Sequence, residues 1–164
     1  AQQIAARSGI SIRTVFRLTS DVDSLHAAAV SRQVERLAPL YVALDVEGRL
    51  PVRINALVEN RASIFETIAP VRRVAERLAA SSATIADGLT RSHQLLRAQV
   101  RQVFATELGH LPSGRRRDVL NAADVASSWE AWDQLRRRMG LSRLESARAT
   151  RELLGGILQP HETH

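Results

Sequence analysis

The strongest chemical signal in the sequence is a group of cations without acids at its start. Residues 1–20 contain Arg7, Arg13 and Arg17 and no aspartate or glutamate, so this short stretch carries a charge of +3. Guanidinium groups bind phosphate and can grip the O6 and N7 atoms of guanine, which suits contact with nucleic acid. Residues 21–164 hold 20 of the 23 arginines and all 17 acids. The basic character is therefore concentrated at one end of the chain.

Small and apolar residues at set intervals predict that these arginines belong to a helix-turn-helix unit. Ala5 is small enough for two helices to cross closely, and Gly9 can adopt the left-handed backbone that a three-residue turn requires. Ile4, Ile10 and Val15 would then lock the two helices together. The second helix of such a unit lies in the major groove of DNA. The same spacing also fits an ordinary helical corner with solvated arginines, and the spacing alone leaves both interpretations open.

Polar and aromatic residues on otherwise apolar helical stripes are the candidates for a ligand pocket. Arg61 and His93 each interrupt such a stripe. An arginine in this position is more often a snorkelling or ion-paired side chain, and a lone histidine is more often a core residue than a ligand. The aromatic residues can line a cavity or fill the core. The predicted pocket set is Arg61, Phe65, His93, Phe104, Trp129 and Trp132, with Tyr41 as a further candidate.

Composition and missing motifs exclude several kinds of chemistry. The chain has no cysteine, which removes disulfides, thiol catalysis and cysteine-ligated zinc and fits a reducing cytoplasm. It has no glycine-rich phosphate loop, no HExxH pattern and no nucleophile elbow. We expect no enzyme activity, cofactor or metal, and a small helical enzyme stays as the weakest alternative. The arginine runs 115–117 and 136–138 are typical of solvated helix faces and are assigned no base contact.

Apolar residues recur at steps of three and four along almost the whole chain, which predicts an all-α fold. A long amphipathic helix is expected from Val52, with a kink at Pro70 and a break near Ser81. Residues 115–139 are expected to form one further helix, and a last helix ends near Leu158. No apolar stretch approaches the ~18 residues of a membrane span, so we expect a cytoplasmic protein without membrane contact.

Local capping signals mark the start of the last helix. Gly140 is placed to end the preceding helix, because glycine readily takes the positive φ of that position. Ser142 and Glu145 match a capping box, in which each side chain accepts a hydrogen bond from a backbone N–H at the helix start.

Two strings of residues resemble one protein family. The string from Ile4 to Arg17, IAARSGISIRTVFR, closely resembles the recognition segment of TetR-family transcriptional repressors, and residues 21–30 look like that family's connecting helix. Residues 128–136, SWEAWDQLR, look like late regulatory helices in a subset of the family. The resemblance implies that the DNA-binding residues are Ser11, Ile12, Arg13, Thr14, Phe16 and Arg17.

The resemblance also implies an architecture and partners. A helix-turn-helix domain with its connecting helix would occupy residues 1–38, and a ligand-binding and dimerisation domain would occupy residues 39–164. The partners would be a double-stranded DNA operator, an unknown small-molecule effector, and a second copy paired through the last two helices. The expected function is a repressor that the effector releases from its operator.

The chain departs from the family pattern at several positions. Phe16 replaces a tyrosine that contacts phosphate, Thr19 replaces an aromatic residue, and Val22 replaces a lysine that meets the DNA backbone. Since Ala1 falls inside the family's second helix, we expect the first helix, which buries the back of the recognition helix, to be missing. The departures at Thr19 and Val22 favour an alternative, which is a helical small-molecule sensor or partner-binding dimer without DNA-binding activity.

Overall fold

The computed structural model describes Arg13, Arg32, Leu44 and the range 47–159. Arg13 and Arg32 have helical backbone and exposed side chains. The rest of the predicted helix-turn-helix unit and its connecting helix, the domain boundary between residues 38 and 39, and Tyr41 lie outside the described residues. The predictions about them stay predictions.

All regular secondary structure in the described part of the chain is helical, which confirms the all-α fold class. None of its helices is both long enough and apolar enough to cross a membrane. The helices are α1 (Leu50–Leu78), α2 (Ala83–Val103), α3 (Ala105–Gly109), α4 (Ser113–Ala126), α5 (Trp129–Asp133) and α6 (Arg143–Leu158), with a π-helical turn over Gln134–Arg138 directly after α5.

The long helix α1 follows the predicted apolar stripe through its first two thirds. Its buried side chains recur at steps of three and four from Ile54 to Ile68, because one face of the helix turns towards the core. The helix continues through Pro70, beyond which Ala75 is still buried whereas Val71 and Val74 are exposed. The expected break near Ser81 is confirmed, since α1 ends at Leu78.

The predicted single helix over residues 115–139 is wrong. Helix α4 begins at Ser113 and ends at Ala126, where the hydroxyl of Ser127 donates to the Ala123 carbonyl oxygen at 2.8 Å. The Ser128 hydroxyl then accepts a hydrogen bond from the Ala131 N–H at 3.2 Å and caps a new helix, α5. Serine hydroxyls compete with helical hydrogen bonds in this way. Ser128 has extended backbone, with φ −80° and ψ 164°, so the helix is interrupted immediately before Trp129.

The capping signals around Gly140 are confirmed. Gly140 has φ +70°, and the Leu141 N–H donates to the Leu135 carbonyl oxygen at 3.1 Å across the turn. Ser142 and Glu145 form the complete capping box at the start of α6. Both signals are local, so the sequence alone locates this junction.

Helix α1 is the central element of the fold. It packs against α2 and α6, and α4 packs on α2 and α6 from the other side. Buried apolar side chains of these helices form one continuous core. The most deeply buried of them, at 1% exposure or less, are Leu57, Val58, Ala62, Ile64, Phe65, Val100, Val103, Phe104, Ala123, Ala147 and Leu154.

Candidate functional site

Two of the predicted pocket residues lie in the close-packed core. Phe104 is completely buried where α2 ends. Arg61 is 1% exposed, and its guanidinium donates to the Leu96 carbonyl oxygen at 2.9 Å and to Oε1 of Gln99. Arg61 therefore does not snorkel to solvent as expected for such an arginine, but links α1 to α2 from within the core. Neither residue lines the crevice described below.

Three aromatic residues of the predicted pocket set form a cluster beside α1. The ring centroid of Phe65 lies 5.9 Å from that of Trp129, in an edge-to-face arrangement, and 6.3 Å from that of Trp132. Aromatic pairs with this geometry contribute stability beyond the area that they bury. Both tryptophans are 3% exposed, so nearly all of each indole belongs to the core and only a small part of each ring is accessible.

The outer edges of the two indoles form the floor of a crevice, which we call the tryptophan crevice. It has a volume of about 260 Å³ and lies between the second half of α1 and the segment from α5 through the π-helical turn. Its lining residues are Glu66, Ala69, Arg73, Trp129, Trp132, Arg136 and Arg137. The crevice thus combines an aromatic floor with three guanidinium groups around its rim.

On one side of the tryptophan crevice, Glu66 accepts hydrogen bonds that connect α1 to the opposite wall. Its Oε1 accepts hydrogen bonds from the indole Nε1 of Trp132 at 3.0 Å and from Nε of Arg136 at 2.7 Å, and its Oε2 accepts from Nη2 of Arg136 at 3.1 Å. The paired bonds from Arg136 lower the pKa of Glu66, burial opposes the shift, and the bond from Trp132 adds to it. The same carboxylate raises the pKa of Arg136. Both oxygens of this carboxylate therefore accept hydrogen bonds from groups of the protein itself.

The other side of the tryptophan crevice has more positive charge than negative charge. Asp133 accepts from Arg73 at 3.0 and 3.1 Å and from Nε of Arg137 at 3.0 Å. Burial alone would raise the pKa of Asp133, but the hydrogen bonds from Arg137 and Arg73 outweigh it and the pKa is lowered. The carbon centre of the Arg73 guanidinium also lies 5.7 Å from the Trp129 ring centroid, a cation–π distance. Two guanidinium groups therefore share one carboxylate.

His93 does not belong to the tryptophan crevice, and the interpretation of it as a core residue is wrong. Its side chain is 53% exposed, and its Nε2 lies 3.4 Å from Oδ2 of Asp124. Arg97 donates to the same carboxylate at 2.7 Å. The surface depression beside His93 has a volume of about 10 Å³, which suffices for a single water molecule. This position therefore has a histidine–carboxylate contact but no space for a larger ligand.

The polar half of the tryptophan crevice was missed by the sequence prediction. Glu66, Ala69 and Arg73 lie at i, i+3 and i+7 and therefore share one face of α1, which is a periodic signal at the edge of its apolar stripe. Arg136 and Arg137 belong to an arginine run that was interpreted as a solvated helix face. Within the π-helical turn Gln134–Arg138, Arg136 donates to Glu66 on α1, whereas Arg137 donates to Asp133 on α5 and stays 56% exposed.

The predicted DNA-binding residues other than Arg13 lie outside the described residues. In the described part of the chain, no three His, Asp or Glu side chains gather in a geometry that would hold a metal ion. Comparison with known proteins gives no match, since no family model, no curated protein and no solved structure matches the chain.

Proposed function

We propose that this chain is a ligand-responsive, DNA-binding transcriptional regulator, and specifically a repressor released from its operator by a small molecule. The observation that carries the proposal is the string from Ile4 to Arg17, which combines helix-turn-helix spacing with the resemblance to TetR-family recognition segments. Its charge of +3 without acids suits contact with phosphates. The exposed side chain of Arg13 on helical backbone is compatible with contact to a base edge.

The effector site of this proposal is the tryptophan crevice. Ligand sites combine apolar and aromatic surface with a few convergent polar groups, and this crevice has two indoles and three guanidinium groups. Its walls come from two separate segments, α1 and the chain from α5 through the π-helical turn. A ligand that contacts both segments can change how they pack, and so can favour one conformation of the protein over another.

The last two helices of the sequence prediction, over residues 115–139 and up to Leu158, correspond to α4 through the π-helical turn and to α6. A homodimer through them is supported by the outer surface of α4 and α6. Val125 on α4 is 67% exposed, and Leu153 on α6 is 49% exposed. Around them lie small residues at helical spacing, Ala122 on α4 and Ala149 and Gly156 on α6. A Cβ atom added to Gly156 would meet no atom within 4 Å. Small residues beside exposed apolar ones allow another pair of helices to approach closely, and this surface fits a second copy of the chain.

The proposed mechanism is a shift between two dimer conformations. A dimer binds its operator when its two recognition helices enter successive major grooves, which are ~34 Å apart. Effector binding in the tryptophan crevice favours a conformation in which the recognition helices no longer match that distance. The free energy by which the effector shifts this equilibrium cannot exceed the difference between its binding free energies for the two conformations.

The proposal is tested by DNA binding of the protein as its gene encodes it. Fluorescence anisotropy with the promoter of that gene should show sequence-specific binding that weakens as salt concentration rises. The Arg13→Ala change should relax the preference at one base pair by about 1–3 kcal/mol. Arg115→Ala is the matched control, because Arg115 is an exposed arginine outside the recognition segment. Binding that ignores sequence, or an equal effect of both changes, would contradict the proposed DNA readout.

The alternative function is a small-molecule sensor or partner-binding dimer without DNA-binding activity. The tryptophan crevice and the exposed surface of α4 and α6 would serve such a protein equally well, and the departures at Thr19 and Val22 favour it. The same anisotropy experiment separates the two functions. A dimer that binds small molecules but shows no preference for its own promoter over unrelated DNA is the result that supports the alternative.

A further inference from the structure

We infer that the tryptophan crevice takes a small organic anion, with a carboxylate or similar group attached to a flat apolar body. This inference rests on the proposed function, because it names the chemical class of the effector. The charges around the crevice, its floor and its size support this ligand class.

The charges determine the sign of the ligand. Three guanidinium groups, those of Arg73, Arg136 and Arg137, face two carboxylates, those of Glu66 and Asp133. Glu66 is bound by Arg136 and by the indole N–H of Trp132, so that half of the crevice is neutralised within the protein. In the other half, the single carboxylate of Asp133 accepts hydrogen bonds from both Arg73 and Arg137. The excess of one positive charge therefore lies between these two side chains.

The exposure of these two arginines makes them accessible to an anion. The side chain of Arg73 is 39% exposed and that of Arg137 is 56% exposed, while Asp133 beneath them is 13% exposed. An anion that approaches from solvent meets the two guanidinium groups before it meets the carboxylate. Guanidinium groups bind carboxylate and phosphate oxygens through paired, charge-assisted hydrogen bonds, so one anion can bridge Arg73 and Arg137.

The floor and the volume of the tryptophan crevice determine the body of the ligand that carries the anionic group. The small accessible parts of Trp129 and Trp132, each 3% exposed, together with Ala69, form the apolar part of the lining next to the guanidinium pair. A flat ring can pack against these groups while its anionic substituent reaches the arginines. The volume of about 260 Å³ lies just below the ~300–1,000 Å³ of typical ligand sites, which favours a compact ligand over an extended one.

The inference is tested with 1-naphthoate as the probe and 1-naphthamide as its neutral analogue. Calorimetric titration of the full chain should give binding of 1-naphthoate, with 1-naphthamide and acetate each at least about tenfold weaker. The chain has two tryptophans, so an NMR spectrum resolves two indole N–H signals, and 1-naphthoate should shift both. Equal affinity for the amide would overturn the requirement for an anion, and equal affinity for acetate would overturn the requirement for a flat body.

Three arginine variants locate the site. Arg137→Gln and Arg73→Gln should each weaken 1-naphthoate binding by about tenfold, since each removes one half of the bridging pair. Arg138→Gln is the matched control, because Arg138 is exposed on the same π-helical turn but does not line the crevice. Unchanged affinity in both crevice variants, or an equal loss in Arg138→Gln, would overturn the inference. Thermal unfolding of each variant checks that it folds. Because Arg73 and Arg137 lie on different segments, the other variant still tests the inference if one of them is unstable.

This experiment is independent of the DNA-binding test. Titration of 1-naphthoate is carried out without DNA, and the promoter titration is carried out without ligand. Promoter binding without 1-naphthoate binding would refute only the ligand class. Binding of 1-naphthoate without promoter binding would refute only the proposed DNA-binding function.

Discussion

The two halves of α1 use the same residue type in opposite ways. In the first half, Arg53 and Arg61 are 5% and 1% exposed, and they bind main-chain oxygens of Val103 and Leu96 on α2. In the second half, Arg73 points to the tryptophan crevice and shares a carboxylate with Arg137. The buried pair links helices together, whereas the crevice pair stays accessible to solvent.

The element that covers each half explains this difference. The spacing of eight residues between Arg53 and Arg61 matches the spacing of seven residues between Val103 and Leu96, because α1 and α2 run antiparallel along this length. Helix α2 thus supplies oxygens at regular intervals and excludes water. The face of α1 that carries Arg73 is covered instead by α5, which supplies Asp133, and by the π-helical turn, which supplies Arg136 and Arg137. Whether an arginine on one face of a helix is structural or available for binding therefore depends on the element that packs against that face.

The largest expected effect is a loss of stability on removal of Arg61. Arg61→Ala should lower the free energy of unfolding by about 3 kcal/mol, because it deletes buried charge-assisted hydrogen bonds and leaves a cavity. Urea unfolding followed by tryptophan fluorescence measures this change. Arg61→Met, which keeps most of the side-chain volume, should lose less, because replacing a buried cation by an apolar group removes its desolvation cost as well. Arg137→Ala should change stability by less than about 0.5 kcal/mol.

This set of variants tests the contrast between the two halves of α1. A large loss of stability in Arg137→Ala, or a loss below about 1 kcal/mol in Arg61→Ala, would mean that the two classes of arginine are not distinct.

A smaller effect is expected from Trp132→Phe at the floor of the crevice. The change removes the indole N–H that donates to Glu66 at 3.0 Å and part of a buried ring, so the expected loss is about 2 kcal/mol. Glu66→Ala and the double variant complete a double-mutant cycle. A coupling of about 1 kcal/mol between the two positions is expected if the bond contributes to stability. Additive losses would show that the bond contributes nothing and that only packing was lost.

The smallest effect is a dependence of stability on acid pH. The pKa of Glu66 is lowered in the folded protein, chiefly by Arg136. Its contribution to stability is therefore fully present above its unfolded pKa of about 4.3 and is lost as the pH falls through the lower folded value. Since the side chain of Glu66 is 37% exposed, the contribution at neutral pH should not exceed about 1 kcal/mol.

Glu66→Gln measures this contribution. The difference in unfolding free energy between the wild type and this variant should shrink as the pH is lowered from about 5 to about 3. Asp133→Asn should show the same trend, because the pKa of Asp133 is also lowered. A difference that stays constant or grows in acid would contradict the assigned ion pairs.

Local signals in the sequence predicted part of the fold correctly. The buried stripe from Ile54 to Ile68, the positive φ of Gly140 and the capping box of Ser142 all depend on residues close in sequence, so the sequence contains the whole signal. The break at Ser127 was missed, because the apolar pattern on its two sides also fits one continuous helix. The serine hydroxyls end one helix and begin the next, and the new helix brings Trp129 and Trp132 against Phe65, a contact between residues distant in sequence.

The sequence by itself determined the all-α fold class, the helix junctions with strong capping signals, and the concentration of arginine without acids in residues 1–20. It also indicated Trp129 and Trp132 as pocket candidates. Only the tertiary structure decided which polar residues accompany them, because Glu66 and Arg73 meet Asp133, Arg136 and Arg137 across about 60–70 residues of chain. Periodicity reports which face of a helix is apolar, but it does not report which element covers that face. That element decided that Arg61 is buried in the core, that His93 is exposed, and that the arginine run at 136–138 contributes to a crevice.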